Sequence, residues 1–167
     1  MPPELHRALL VFHLAGQLAA LLLENVERIR PMAQLARPPT LPSRLEGILN
    51  LAGRSVPVVR LDRLLQLPEQ PLGLYSMLIV LKGIPDGRIA VLVDRVSEVL
   101  AVPASDLLPV GEEHSFNACV EATVSRQGQT IHLLSPTRIL LAKEREIISE
   151  FQTITQQRLR DWEPKAL

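Results

Sequence analysis

The sequence predicts a mainly β fold built from two related units, and three features carry that expectation. Apolar runs of about seven residues alternate with tight corners, the length and punctuation of paired strands. Runs such as Ser76-Met77-Leu78-Ile79-Val80-Leu81 lack strict alternation, which points to strands covered on both faces or closed into small barrels. The chain also echoes itself, at offsets of about seventy and seventy-five residues.

The first element forces a choice between membrane and sheet. The segment ALLVFHLAGQLAALLL, Ala8 to Leu23, approaches the length of a membrane span, but His13, Gly16 and Gln17 interrupt it. Glu4 precedes it and ENVERIR comes after it, which is not the charge order or cleavage site of a signal peptide. Split at Ala15-Gly16 it becomes a hairpin, and the chain is expected to be soluble and unprocessed. Strands are expected near 7–14, 17–24, 46–52, 55–60, 76–82, 88–101 (bent), 117–125 and 129–134. Pro57 lies inside the fourth and cannot donate to a ladder, so it belongs at an edge or a bulge. Pro85-Asp86-Gly87 is turn chemistry joining two strands.

Two matches make the echo. Leu21 to Ile29 and Val91 to Val99 each read as three apolar residues, an acid, then apolar residues three apart. Gly53 to Leu65 and Gly128 to Leu140 each read as a glycine turn, an apolar strand and a short helix opening near Asp62 or at Ser135-Pro136. Serine before proline suits a helix start, because the hydroxyl caps free N–H groups and proline tolerates the first helical position. The expected division is a double unit over 1–142, with a crossover near 67–75 where LPEQPLGLY carries two prolines and a glycine. A helical extension is expected over 143–167, with Ile147, Ile148, Phe151, Ile154, Leu159 and Trp162 at helical spacings. That helix either packs on its own sheets or docks on a partner.

Composition removes several function classes. With 167 residues, 47% of them hydrophobic, the chain buries a sizeable core, and its 18 basic and 18 acidic side chains give no pull toward nucleic acid or an anionic bilayer. The single cysteine, Cys119, excludes an internal disulfide framework and a cysteine-built metal site. His6, His13, His114 and His132 show no metal-ligand spacing, and no glycine-rich phosphate loop is present. Glu24 and Asp94 hold matching places in the echo; each is read as ending a strand and satisfying backbone or arginine groups. Nucleophile, base and orienter are nowhere visible together. No enzyme activity, metal or cofactor is expected.

The stretch EGILNLAGRSVPVVRLDRLL resembles the CheW-like domain of bacterial chemotaxis and related signalling systems: Gly47, Asn50, Leu51, Gly53, Pro57 and Leu61 match the family pattern in order. The likeness extends to Gly16-Gln17, to ENVERI, to IAVLVDRVSEVL with Asp94, and to the last strand and helix around Leu133 to Leu141. It implies two interlocked five-stranded antiparallel β-barrels with short helices and a C-terminal helix. It implies a cytoplasmic, non-enzymatic adaptor that couples the cytoplasmic tip of chemoreceptors to the regulatory domain of a CheA-type histidine kinase, within receptor arrays at the inner membrane. Neither nucleic-acid binding nor direct membrane insertion is part of that role. Carried over by position, the receptor- and kinase-binding candidates are Val26, Arg28, Gly47, Asn50, Leu51, Ala52 and Met77. Ala52 stands where the family has arginine and Arg60 where it has aspartate, so contacts that depend on those charges are expected to be absent or rebuilt, in a specialised pathway such as surface motility or second-messenger output. If Leu51 faces a groove, Leu51→Asp is expected to weaken partner binding more than the fold. The alternative is a small β-barrel ligand-binding protein or enzyme, for which the sequence supplies few pocket-forming polar groups.

Overall fold

Paired left-handed residues turn the chain at three corners: Ala15-Gly16 (φ 50° and 78°), Ala52-Gly53 (52° and 85°) and Gln127-Gly128 (50° and 77°). Two consecutive positive φ values give the hairpin turn whose twist matches that of the strands it joins, and glycine takes the second place without a Cβ penalty. In the computed structural model, which describes residues 5–39, 41, 45–82, 89–111, 119–141 and 143, these corners close three hairpins. The strands are β1 (His6–Leu14), β2 (Gln17–Leu22), β3 (Val26–Pro31), β4 (Leu45–Leu51), β5 (Arg54–Arg60) and β6 (Met77–Leu81). They continue as β7 (Ile89–Val93), β8 (Arg95–Pro103), β9 (Leu108–Pro109), β10 (Val120–Arg126) and β11 (Gln129–Leu134). Helix α1 is Leu61–Leu64 and helix α2 covers 136–141. The apolar segment 8–23 is thus a hairpin and its continuation, and among the described residues no helix is long and apolar enough to cross a membrane.

The strands form two sheets, in the orders β8-β1-β2-β11-β10-β9 and β3-β6-β7-β5-β4. The orders match strand for strand over five positions, each with an antiparallel hairpin joined to a second hairpin through one parallel pair, β2 with β11 and β7 with β5. The echo in the sequence is this architecture. Each half also lends strands to the other sheet. After β2, a single 3-10 turn at Leu23–Asn25 carries the chain out of the first sheet, and β3 joins the second beside β6. After β7, the chain bends at Asp94 and β8 joins the first sheet beside β1. The expected bent strand over 88–101 is therefore two strands in different sheets, while β3 and β9 were not expected as strands.

The fold is mainly β and two-sheeted, but neither sheet closes into a barrel, a correction to the expected pair. Proline ends the strand that would close each one. β3 stops at Pro31, and β9 is two residues long and stops at Pro109. The gap between β3 and β4 is spanned by a strap instead: the Met32 N–H bonds the Ser76 carbonyl at 3.0 Å, and Ala36 pairs with Ile48 through two backbone bonds of 2.9 Å.

Bulges recur at matching places in both halves. Glu27 is the extra residue of β3 against β6, and Ser97 that of β8 against β1. Glu46 is extra in β4 against β5, and Glu121 in β10 against β11. An inserted residue reverses the facing of every later residue in its strand. This explains the three-residue spacing in the echo, because Val26 and Ile29 both reach the core between the sheets with Glu27 inserted between them.

Three apolar clusters result. Leu10, Phe12, Leu14 and Leu21 meet Ile79, Leu81, Val91 and Val93 between the sheets, with Leu61, Leu64 and Ile139 from the two helices. Leu9, Val11, Ala20, Leu100, Val124 and Ile131 fill the opposite face of the first sheet, and Leu49, Leu51, Val56, Val58, Leu78 and Val80 that of the second. β1, β2, β6 and β7 are covered on both faces, as the lack of alternation implied. The strap adds Met32, Ala33 and Leu35 to the last cluster.

Pro57 lies in an interior strand, yet β7 pairs with β5 only from Val58 on, so at Pro57 the strand has β4 alone beside it. The start of α2 is as expected: the Ser135 hydroxyl accepts the Arg138 N–H at 3.3 Å. The Pro85-Asp86-Gly87 turn lies outside the described residues between the paired strands β6 and β7, as does the expected helix over 143–167 apart from helical Lys143.

Candidate functional site

All seven candidate residues lie on the second sheet or at its corner, but at opposite edges. Val26 and Arg28 are on edge strand β3, with Met77 across the ladder on β6. Gly47, Asn50 and Leu51 are on the other edge strand, β4, and Ala52 turns the corner after it. Three strands separate β3 from β4, a span of roughly 19 Å along the sheet at the usual strand spacing, with Met77 one strand in from β3. The strap from Met32 to Ala36 connects the two edges on the closing side.

Exposure divides them differently. The bulge at Glu27 turns Val26 into the core between the sheets, 9% exposed, and leaves Arg28 open to water. Met77 is half-buried between Pro31 and Val93. At the corner, Asn50 is exposed and its Oδ1 accepts the Gly53 N–H at 3.0 Å, so the side chain supports its own turn. Ala52 is exposed. Leu51 is 3% exposed and packed among Leu49, Val56 and Val58; it does not face a groove. Gly47 is no turn residue either: a Cβ there would sit 2.6 Å from Leu35 Cβ and 3.1 Å from the Ala36 carbonyl oxygen. The missing side chain lets the strap lie against β4. Gly47→Ala is expected to destabilise the fold by about 1–3 kcal/mol through overpacking, read as a lower urea midpoint, and an unchanged midpoint would mean the strap shifts freely.

Between the two edges sits a charged network that sequence reasoning did not assemble. Arg60 gives two hydrogen bonds to Asp62, Nε to Oδ1 at 3.1 Å and Nη2 to Oδ2 at 2.8 Å, with both residues buried. The same Nη2 donates to the Gln70 carbonyl at 2.6 Å, and Asp62 also accepts the N–H groups of Arg63 (2.7 Å) and Gln70 (3.2 Å). Arg60 is thus buried and bonded inside the molecule and does not replace a surface arginine at Ala52. Asp62, two residues further on, was the readable signal. The bulged Glu46 accepts Arg37 at 2.8 Å and has Arg63 Nη2 at 3.9 Å, while Arg63 Nε bonds Glu69 at 2.5 Å. In the other half the bulged Glu121 lies near Arg138, which donates to the Val120 carbonyl at 2.9 Å.

The remaining polar groups serve structure. Glu24 pairs with Arg7 at 2.7 Å, and Asp94 Oδ2 accepts the Ala15 N–H at 2.8 Å, which ties the sheet-crossing bend to the first corner. Both acids do what their sequence positions implied. Cys119 is buried, and burial holds the half-buried His132 below the ordinary histidine range. Among the described residues no group of three or more His, Cys, Asp or Glu side chains could hold a metal ion.

Comparison with known proteins adds the family context. A family model described as CheW-like domain matches residues 8–144. Chemotaxis protein CheW of Bacillus subtilis (strain 168) is 23% identical over 134 residues, covering 79% of this chain and 85% of that protein. Chemotaxis protein CheW of Thermotoga maritima is 27% identical over 131 residues, with 78% and 85% covered. The crystal structure of scaffolding protein TtCheW from Thermoanaerobacter tengcongensis superposes with a TM-score of 0.73 at 23% identity, over 81% of this chain and 88% of that one.

Proposed function

The chain belongs to the CheW-like domain family, whose members are non-enzymatic scaffolds, and from that premise we propose that it couples chemoreceptor cytoplasmic tips to the regulatory domain of a CheA-type histidine kinase. The observation that carries this reading is that the family match runs through both sheets, from β1 to α2. The partners are proteins, met in the cytoplasm within receptor arrays. Val26, Gly47 and Leu51 act as the frame of the second sheet, while Arg28, Asn50, Ala52 and Met77 supply the contact surface. Arg28 is the strongest single candidate, an exposed guanidinium on an edge strand with no carboxylate partner among the described residues.

The test is titration of the purified chain with a receptor tip fragment and, separately, with a kinase regulatory domain from the same organism. Complexes are expected without nucleotide or metal, and absence of both would overturn the reading. Arg28→Glu is expected to weaken one of the two complexes about tenfold with an unchanged melting temperature, because an exposed charge contributes to partner steering and little to the fold. Unchanged affinity for both would remove Arg28 from the surface.

A further inference from the structure

We propose that the crossover between the two halves carries a preformed docking knob, Leu74 flanked by Leu72 and Tyr75, which seats in an apolar recess rimmed by carboxylates on a chemoreceptor tip. The proposal rests on the adaptor reading above and names a contact that reading did not contain. Leu74 is 90% exposed, Tyr75 68% and Leu72 42%, which puts three large apolar side chains within four residues. Among the described residues the other exposed large apolar side chains, Leu5, Val99, Leu108 and Leu141, are scattered singly, which needs no explanation. A cluster of this kind marks an interaction site.

The knob is held from both sides. On its N-terminal side the buried Arg60–Asp62 pair grips both backbone groups of Gln70, and Arg63 holds Glu69. On its C-terminal side Ser76 donates its N–H to the Gly73 carbonyl at 3.2 Å and accepts the Gly73 N–H on Oγ at 2.9 Å, while Met32 bonds the Ser76 carbonyl. Two fixed ends reduce the ordering cost of binding. The backbone on both sides of Leu74 is thus held while its side chain stands almost wholly in water.

The surrounding charge selects the partner. The Arg95 guanidinium carbon stands 6.0 Å from the Tyr75 ring centroid. Glu69 is engaged by Arg63 and Asp94 by the Ala15 N–H. An apolar projection with the Arg95 guanidinium beside it fits an apolar recess with an acidic rim, as the seam between packed amphipathic helices offers.

Leu74→Ser, Tyr75→Ala and Arg95→Glu change exposed side chains and leave the clamp intact, so each full-length variant is expected to melt like wild type. Titrated with the receptor tip fragment, Leu74→Ser is expected to raise Kd about tenfold. Arg95→Glu is expected to raise it by a similar factor and to flatten its salt dependence. Affinity for the kinase regulatory domain should stay within about twofold in all three, in keeping with that assignment. Wild-type affinity of the variants for the tip would overturn the knob, and so would a loss confined to the kinase domain. If wild type binds neither protein, the adaptor reading itself fails and this inference falls with it.

Discussion

Asp62→Ala is expected to destabilise the protein by about 3–5 kcal/mol, since it leaves the buried Arg60 guanidinium without its counter-charge. Asp62 is 2% exposed and Arg60 8%, and after the substitution the guanidinium would keep only the Gln70 carbonyl among the bonds it makes here. The cost includes two backbone N–H groups, Arg63 and Gln70, that lose their acceptor. Urea melts at neutral pH would read it directly. A pH series gives an independent check. Burial pushes the Asp62 carboxyl up, but bonds from Arg60, Gln70 and Arg63 outweigh it and hold the group below the ordinary aspartate range. A depressed folded value means that its stabilisation is complete above the unfolded value of about 3.9 and is lost as pH falls through the lower folded one. The gap between wild type and Asp62→Ala should therefore narrow toward pH 3. Replacing both partners, Arg60→Met with Asp62→Leu, should recover much of the loss, because the unpaired charge is removed as well. A double variant no better than Asp62→Ala would show that shape, and not charge, sets the cost.

The same pair shows where sequence reading stops. Arg60 stood out as a departure from the family pattern, and Asp62 was visible two residues later, but nothing local says that strand end and helix start bring the two side chains together. The hairpin corners were legible because glycine in the second left-handed place has a local cause. The doubled architecture was legible because both halves repeat the same order of turn, strand and helix. The exchange of strands was not. Which sheet a strand joins is decided by packing across the molecule, and strand-forming residues run on through Asp94, Ile89–Val93 before it and Val96, Val99 and Leu100 after it, so nothing local marks the change of sheet. β3 stayed hidden because its charges and the inserted Glu27 erase the alternation that marks a half-buried strand. For the candidate residues the limit is the strap. Gly47 and Leu51 look like surface corner residues until a distant segment, 32–36, is laid over the sheet.

Leu51→Asp is accordingly expected to remove the fold and partner binding together, against the expectation for a groove-facing leucine. The substitution gives up the burial of a leucine, about 1.5–3 kcal/mol, and adds the desolvation of a carboxylate worth several more. A total stability of about 5–15 kcal/mol leaves little after such a loss. Arg54 lies directly across the ladder, but it is exposed and would have to leave water to neutralise the new charge. The neighbouring position separates burial from location. Ala52→Asp puts the same charge one residue further, on an exposed site at φ 52° where aspartate tolerates the left-handed backbone, so its melting temperature should stay near wild type. Circular-dichroism melts of the two variants, alongside titration with the receptor tip, distinguish the cases. A folded Leu51→Asp that has lost only its partner would mean that this leucine points out of the second sheet and not into the cluster that the strap covers.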